Sequence, residues 1–487
     1  MKKLYIAILA AAICLPALAQ DLNSAYFLEG YKYRHRLNPA FAPTRSYFGL
    51  PLLGGISAYT QSDVGMNTFI YPVDGQLTTF MNSSVSSEEF LSKLKKNNDL
   101  GVKLNANLLS LGIWGKNGFT SAEINLKVNA GANIPYDLFD FMKNVGTSQT
   151  YNIRNLDVSA QSYAELAIGH SHSINDNLNV GAKVKFLVGL ANINAHIDNL
   201  NVQMTGDKWS VTADGNLTSS VPGLVIPTKG ETGASSDPAQ ADEIDFNGIY
   251  MDSEKLVKEL PSSLSFGAAI DLGAEYKFNG LLEGLNVSAA VLDLGFISWG
   301  ESFRATTGNN SWEFSGFENI EFNESSENSI GAQFESIGQD LSKLIVLQKE
   351  ASEKGRASMV NCTLNLGAEY EMPFYRNLSF GFLYTSRIAG LYSKNEGRFY
   401  ANVNPTKWFG FSASYGISNY GSAAGAVINF DLPGFGLFIG TDCAIWNVTP
   451  PVDALGGISV PYGKLNLNAT FGLVFNIGKY RTLGDRR

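Results

Sequence analysis

The chain has 487 residues, of which 45% are hydrophobic, 12% aromatic and only 17% charged, with a net charge of −9. It is too apolar and aromatic to be disordered, too acidic to bind nucleic acid by its charge, and short of the roughly 25% charged residues of an ordinary soluble domain. Its mean hydropathy is nevertheless −0.03, so the missing charge is not matched by greasiness on average.

In chain order, Met1-Lys2-Lys3, the apolar run Leu4 to Leu15 and Ala17-Leu18-Ala19 form the three parts of a secretory signal peptide. This predicts a signal segment over 1–19, cleaved after Ala19. The apolar run is too short to span a membrane, and Cys14 is a poor lipidation site because Ile13 stands where a small residue is needed. Beyond Gln20 no stretch approaches the roughly 18 uninterrupted apolar residues of a transmembrane helix. An exported chain of this kind is either soluble or crosses a membrane as strands. Cys362 and Cys443 allow one disulfide but no framework, no metal spacing is present, and no cofactor is expected.

Residues 20–47 lead from the cleavage site to the first strand and contain Tyr31-Lys32-Tyr33-Arg34-His35-Arg36-Leu37-Asn38-Pro39-Ala40. Asn38 before Pro39 suits a turn. From Phe119 to Ala132, Thr120, Ala122, Ile124, Leu126 and Val128 alternate with Ser121, Glu123, Asn125, Lys127 and Asn129. Ser263 to Phe278 and Leu465 to Ile477 repeat the pattern. Such runs are far longer than the roughly 5–6 residues of a globular strand and suit a membrane-crossing strand with one greasy and one wet face. Aromatics near run ends (Trp114, Tyr276, Phe278, Trp408) suit an interfacial girdle.

Alternating short turns and long loops gives one strand within 48–72 and others near 101–114, 119–132, 156–173, 178–189, 263–278, 284–298, 359–371, 377–388, 396–404, 407–416, 421–431, 435–446 and 464–478. The fold class expected is therefore all-β: a transmembrane antiparallel barrel of about 14 strands (12–16) over 48–480, with a C-terminal tail at 481–487. Ser86 to Lys96, Pro135 to Lys143 and Gln333 to Lys349 read as short helices in loops. Ala191 to Ser219 reads as a hairpin above the membrane, and Thr228 to Asp245 as a mobile polar loop.

The Leu37-Asn38-Pro39-Ala40-Phe41-Ala42-Pro43 run, Tyr47 to Pro51 behind it, and Val291 to Trp299 together resemble the FadL-type transporter superfamily. They are most similar to its outer-membrane barrel relatives of unknown function. The resemblance implies that the N-terminal segment plugs the barrel, with Asn38, Pro39 and Ala40 as its motif, and that hydrophobic ligands leave through an opening in the wall. It also admits relatives of the PorV and PorP type, which bind secretion or surface proteins.

Three functional readings are open. The first is passive passage of hydrophobic or amphipathic small molecules, which predicts an apolar pocket and a gap in the wall. The second is a structural or secretion-accessory barrel with a protein partner, which predicts a sealed lumen. The third is a soluble secreted β protein, whose apolar faces would pack together. The expected partners are outer-membrane lipid and either a hydrophobic small molecule or a secretion or surface protein, with no nucleic acid. On the wet faces Glu123, Lys127, Lys183, Lys185, Asp271 and Glu275 are expected to face the lumen and to hydrate it or hold Lys32, Arg34 or Arg36. His170 and His172 lie on one strand face, but two ligands are too few for a metal site. With no G-x-S-x-G, H-E-x-x-H or P-loop pattern, the chain is read as a non-enzyme.

Overall fold

A computed structural model describes residues 22–483 apart from 52, 54, 74–75, 145–149, 206–207, 264, 308–310, 315–344, 445–462 and 465. The signal segment and most of the Gln333–Lys349 reading lie outside the described residues, though 348 and 349 belong to a strand, Gln348–Glu353.

Fourteen antiparallel strands close into a barrel. They are β1 (Ser46–Gly49 continued by Ile56–Ser62), β2 (Asn97–Trp114), β3 (Phe119–Pro135), β4 (Thr150–Ser173), β5 (Leu178–Thr205), β6 (Ser265–Lys277) and β7 (Leu285–Ser298). There follow β8 (Cys362–Met372), β9 (Tyr375–Ile388), β10 (Lys394–Thr406), β11 (Phe409–Ser418), β12 (Gly421–Asp431), β13 (Phe435–Cys443) and β14 (Leu467–Ile477). Each strand pairs with its neighbours in sequence. Both stretches of β1 pair with β2 on one side and β14 on the other, for example Phe48 with Leu111 and Phe475, and this closes the ring. Closure leaves no open sheet edge, which is the condition for crossing a bilayer as strands.

Alternation is the physical cause of the ring's two surfaces. On β3, Phe119, Ser121, Glu123 and Asn125 are buried, while Thr120 and Ile124 are exposed. Outward side chains such as Phe186, Phe266, Phe296 and Phe399 remain more than half exposed. The apolar faces therefore do not pack together, against the expectation for a soluble secreted β protein. An apolar exterior around a polar interior is the arrangement of a membrane barrel.

Strands β4 and β5 run beyond the ring. Residues 178–189 of β5 pair with β6, whereas its continuation from Asn192 pairs with an external strand, Lys208–Ser220. That is the hairpin expected over 191–219. At this long-loop end Phe80 and Phe90 stack at 4.2 Å beneath Phe69 and Phe139, forming a small core with Ile153, Leu200 and Val211. Two of the expected helices frame it. Ser87–Leu91 is capped by Ser86, whose Oγ accepts from the Glu89 N–H at 3.1 Å, and Tyr136–Asn144 buries Leu138, Phe139, Phe141 and Met142.

The stretch 228–245 differs from the mobile loop expected. Thr228 caps a helical turn, Lys229–Thr232, in a reciprocal capping box with Glu231, and Ile244 packs on Ala305 and Leu347. Thr228, Glu231 and Asp237 are spent on local caps, while Glu243 and Ile244 bond a segment a hundred residues further on. Ser253–Ser263, just before β6, forms a helix.

Candidate functional site: the occupied lumen

Residues 22–45 lie inside the ring and are almost wholly buried there. The aromatic-rich stretch forms a core with inward strand residues: Tyr26, Phe27, Tyr31, Tyr33 and Phe41 pack on Leu383, Tyr400, Phe438 and Val474. Edge-to-face contacts, such as Phe27 on Tyr400 at 5.0 Å and Tyr31 on Phe438 at 4.9 Å, give the packing its geometry.

The Asn-Pro-Ala motif is held by backbone. Asn38 has extended φ and ψ of −155° and 118°, as proline at the next position requires. Its Oδ1 accepts the Ala40 N–H at 2.9 Å, making the turn, and its Nδ2 donates to the Ala274 and Ala289 carbonyls at 3.3 Å each. Ser171 donates to the Pro39 carbonyl at 2.6 Å, and Asn365 donates to the Leu37 carbonyl at 2.9 Å. So close an approach requires glycine on the wall. A Cβ at Gly181 would lie 1.9 Å from the Pro39 oxygen, and one at Gly273 would lie 2.0 Å from Asn38 Oδ1.

Three carboxylates hold the segment by charge. Asp442 accepts the N–H groups of Asn23 and Ser24 at 3.0 and 2.6 Å. Asp431 binds Lys32 at 2.5 Å, accepts from Thr44, and lies 3.6 Å from Arg45. Glu123 binds Arg36 at 2.6 Å and Lys183 at 3.1 Å. Lys183 in turn donates to His35 Nδ1 at 3.3 Å, because an ammonium has protons only to give. This fixes the tautomer: His35 carries its proton on Nε2 and donates it to the Tyr47 oxygen at 2.8 Å. Burial pushes the His35 pKa down to about 3, with Glu123 opposing and Lys183 and Arg36 assisting. Burial likewise lowers Lys32 to about 8, against the pull of Asp431.

Beside Arg36 and Leu37 lies a polar cavity of about 40 Å³ measured at water centres, room for about three waters. Glu123, Lys127, Lys183, Lys185 and Asp271 come together around it, and all but Lys127 are at least nine-tenths buried. Lys127 binds Glu165 at 2.8 Å and Asp293 at 3.4 Å, and Lys185 binds Asp271 at 2.7 Å and Asp293 at 2.5 Å. Glu275 does not join them. It accepts from Asn179 at 2.7 Å and lines a second cavity with Glu29 and Arg34. The first cavity is polar, unlike the apolar pocket that the passage reading predicts.

Sequence reasoning missed Asp293, Glu165, Asp431 and Asp442. Asp293 left a trace, since the run Val291-Leu292-Asp293-Leu294 puts a carboxylate where alternation calls for an outward apolar residue. The structure shows a bulge there. Asp293 has φ of 56°, its N–H donates to Asp271 at 2.7 Å, and the β6–β7 register slips between Ile270 and Leu272. The extra residue swings the carboxylate inward.

Other expectations resolve more simply. Trp114 is half-buried and donates from Nε1 to the Pro43 carbonyl at 2.9 Å, so it fastens the segment rather than standing free in a girdle. His170 and His172 lie with rings 5.9 Å apart, His170 exposed and bonded to Thr120. Among the described residues no group of three His, Cys, Asp or Glu is placed to hold a metal. Cys362 and Cys443 are both free.

A closed ring with an apolar outside, a charged inside and its own N-terminal segment seated in the lumen defines an internally occupied membrane β-barrel. The chain belongs to a family of unknown function, DUF5723, which matches residues 39–442. No curated protein matches it. Among solved structures it is similar to the toluene transporter TodX of Pseudomonas putida, at 8% identity over 95% of this chain and 96% of that one, with a TM-score of 0.38. It is also similar to a Pseudomonas aeruginosa FadL homologue, at 12% identity over 94% and 98% of the two chains, with a TM-score of 0.30. The monoaromatic hydrocarbon channel CymD gives 11% identity over 86% and 98%, with a TM-score of 0.31.

Proposed function

We propose that this barrel passes hydrophobic or amphipathic small molecules across the outer membrane, with residues 22–45 as a stopper that must shift for passage. The observation that supports this reading is a break in the wall at the level of the cavity. Strand β7 pairs with β8 up to Leu292 and Thr363, and resumes from Phe296 and Met359 with the separate strand Ala357–Met359. Between those pairs the described ladder bond is Val360 N–H to the Gly295 carbonyl at 3.1 Å. Leu292, Asp293 and Thr363 at this break also line the cavity. A lumen that meets lipid through a weakened seam suits cargo that partitions into membranes. The reading contains no chemical step.

The test is uptake of a fluorescent acyl amphiphile into proteoliposomes. In a Cys362→Ser background, Leu292→Cys with Thr363→Cys places a disulfide across the seam. The reading expects passage that stops on oxidation and returns on reduction. Uptake equal to protein-free vesicles, or indifferent to the lock, sinks it.

A second reading, a barrel that docks a protein partner, draws support from the packed lumen and from the ordered sheet and aromatic core at the long-loop end. Stoichiometric co-purification of one protein, with no uptake, is its expected outcome.

A further inference from the structure

Four of the cations lining the cavity (Arg36, Lys127, Lys183 and Lys185) are matched by its four carboxylates. Arg387 of β9 is left over. The residue is 7% exposed, yet its Nε and Nη1 are buried with no hydrogen-bond partner among the described residues. Tyr59 lies 5.6 Å from the guanidinium carbon, which helps a cation but supplies no acceptor for its N–H groups. Nearby Lys394 is already committed to Glu396 at 2.6 Å.

A second unmatched basic side chain lies close by, since Lys103 stands opposite Tyr59 in the β1–β2 ladder. Lys103 of β2 is 6% exposed and makes no ion pair among the described residues, its Nζ lying 5.8 Å from the Tyr392 ring. Two residues along the same face of β2, Asn105 reaches the cavity. Leaving a buried guanidinium donor unsatisfied is costly, so a site with two such donors beside a lysine is built for an anion.

We propose that Arg387 and Lys103 form an anion site in the lumen that takes a carboxylate group. The guanidinium fork matches two carboxylate oxygens side by side, and room for about three waters accepts a carboxylate better than a hydrated phosphate. The site is independent of the passage reading, because binding is measurable in the purified barrel whether or not anything is carried. The carboxylate comes from a free small acid or from the end of an acyl amphiphile.

Calorimetric titration of the purified full chain in a non-ionic detergent separates these sources. Acetate and octanoate are the probes, and octanol is the control. Saturable binding of both acids assigns a free small acid. Binding of octanoate alone, with octanol much weaker, assigns an amphiphile. In either case Arg387→Gln weakens binding about ten- to a hundredfold, and Arg387→Lys restores part of it. Octanol binding as tightly as octanoate overturns the proposal. So does a folded Arg387→Gln barrel with unchanged affinity, or no carboxylate binding at all, in which case water bridges Arg387 to Asn105. If Arg387→Gln loses heat-modifiable mobility and so does not fold, Lys103→Met carries the same test with a smaller expected loss.

Discussion

Lowering the pH should loosen the N-terminal segment, through His35. Docked, this side chain is neutral, held between the Lys183 ammonium on Nδ1 and the Tyr47 hydroxyl on Nε2. Protonation would aim a second N–H at an ammonium, and burial adds to the penalty, so the docked pKa is about 3 against 6.5 for a free histidine. The released segment therefore binds a proton that the docked one refuses, and docking weakens as pH falls from about 6.5 towards about 3. Above 6.5 both forms are neutral and the effect vanishes. At pH about 5 the group is about 1.5 units below its free pKa, which costs docking about 2 kcal/mol, or about thirtyfold in the docked-to-released ratio. Amide exchange of residues 22–45, read by mass spectrometry and corrected for intrinsic rates, should accelerate by that factor between pH about 7.5 and about 5, with strand amides as reference. His35→Gln should abolish the acceleration. Equal corrected exchange at both pH values, or acceleration that persists in His35→Gln, would refute the argument.

Further outcomes follow from the same geometry. Glu123→Gln leaves Arg36 and Lys183 buried without their anion, and should lower barrel stability by about 3–5 kcal/mol, seen as an earlier heat-modifiable gel transition. An unchanged transition would show that the pairs contribute nothing. Gly181→Ala or Gly273→Ala drives a methyl group into Pro39 or Asn38, at a cost of about 1–3 kcal/mol, and should expose residues 22–45 to protease in an otherwise intact barrel. Gly115→Ala, with its nearest neighbour atom at 3.6 Å, is the control that should stay resistant. Asp293→Asn and Asp293→Ala both lose the charge that pairs with Lys127 and Lys185, but alanine also loses the oxygen that accepts from them and is strained at a φ of 56°. The alanine variant should therefore melt lower, by a further ~1 kcal/mol, and identical melting of the two would argue against backbone strain.

Much of the architecture was legible because a barrel strand writes its two environments into alternate residues. The long runs from Phe119, Ser263 and Leu465 placed β3, β6 and β14 within two residues of their observed bounds at all but one end, Phe119–Pro135 running three further. Ser86 announced its helix through a local cap. Where locality failed, so did the reading. The polar run 228–245 looked mobile because its partners, Glu243 with Gln348 and Ile244 with Leu347, are a hundred residues away in the chain. Asp293 broke the alternation, but only the bulge shows which way it turned.

The candidate site divides along the same line. Along the regular stretches of strand the sequence by itself determined which side chains face inward, since parity settles that without knowledge of the neighbours, and only the bulge at Asp293 escaped it. It also determined that Asn38 is extended, since Pro39 demands it. Only the tertiary structure decided which inward charges meet. Lys32 reaches Asp431, Arg36 reaches Glu123, and Arg387 reaches no carboxylate among the described residues, because closing the ring sets distances across the lumen that no local rule contains.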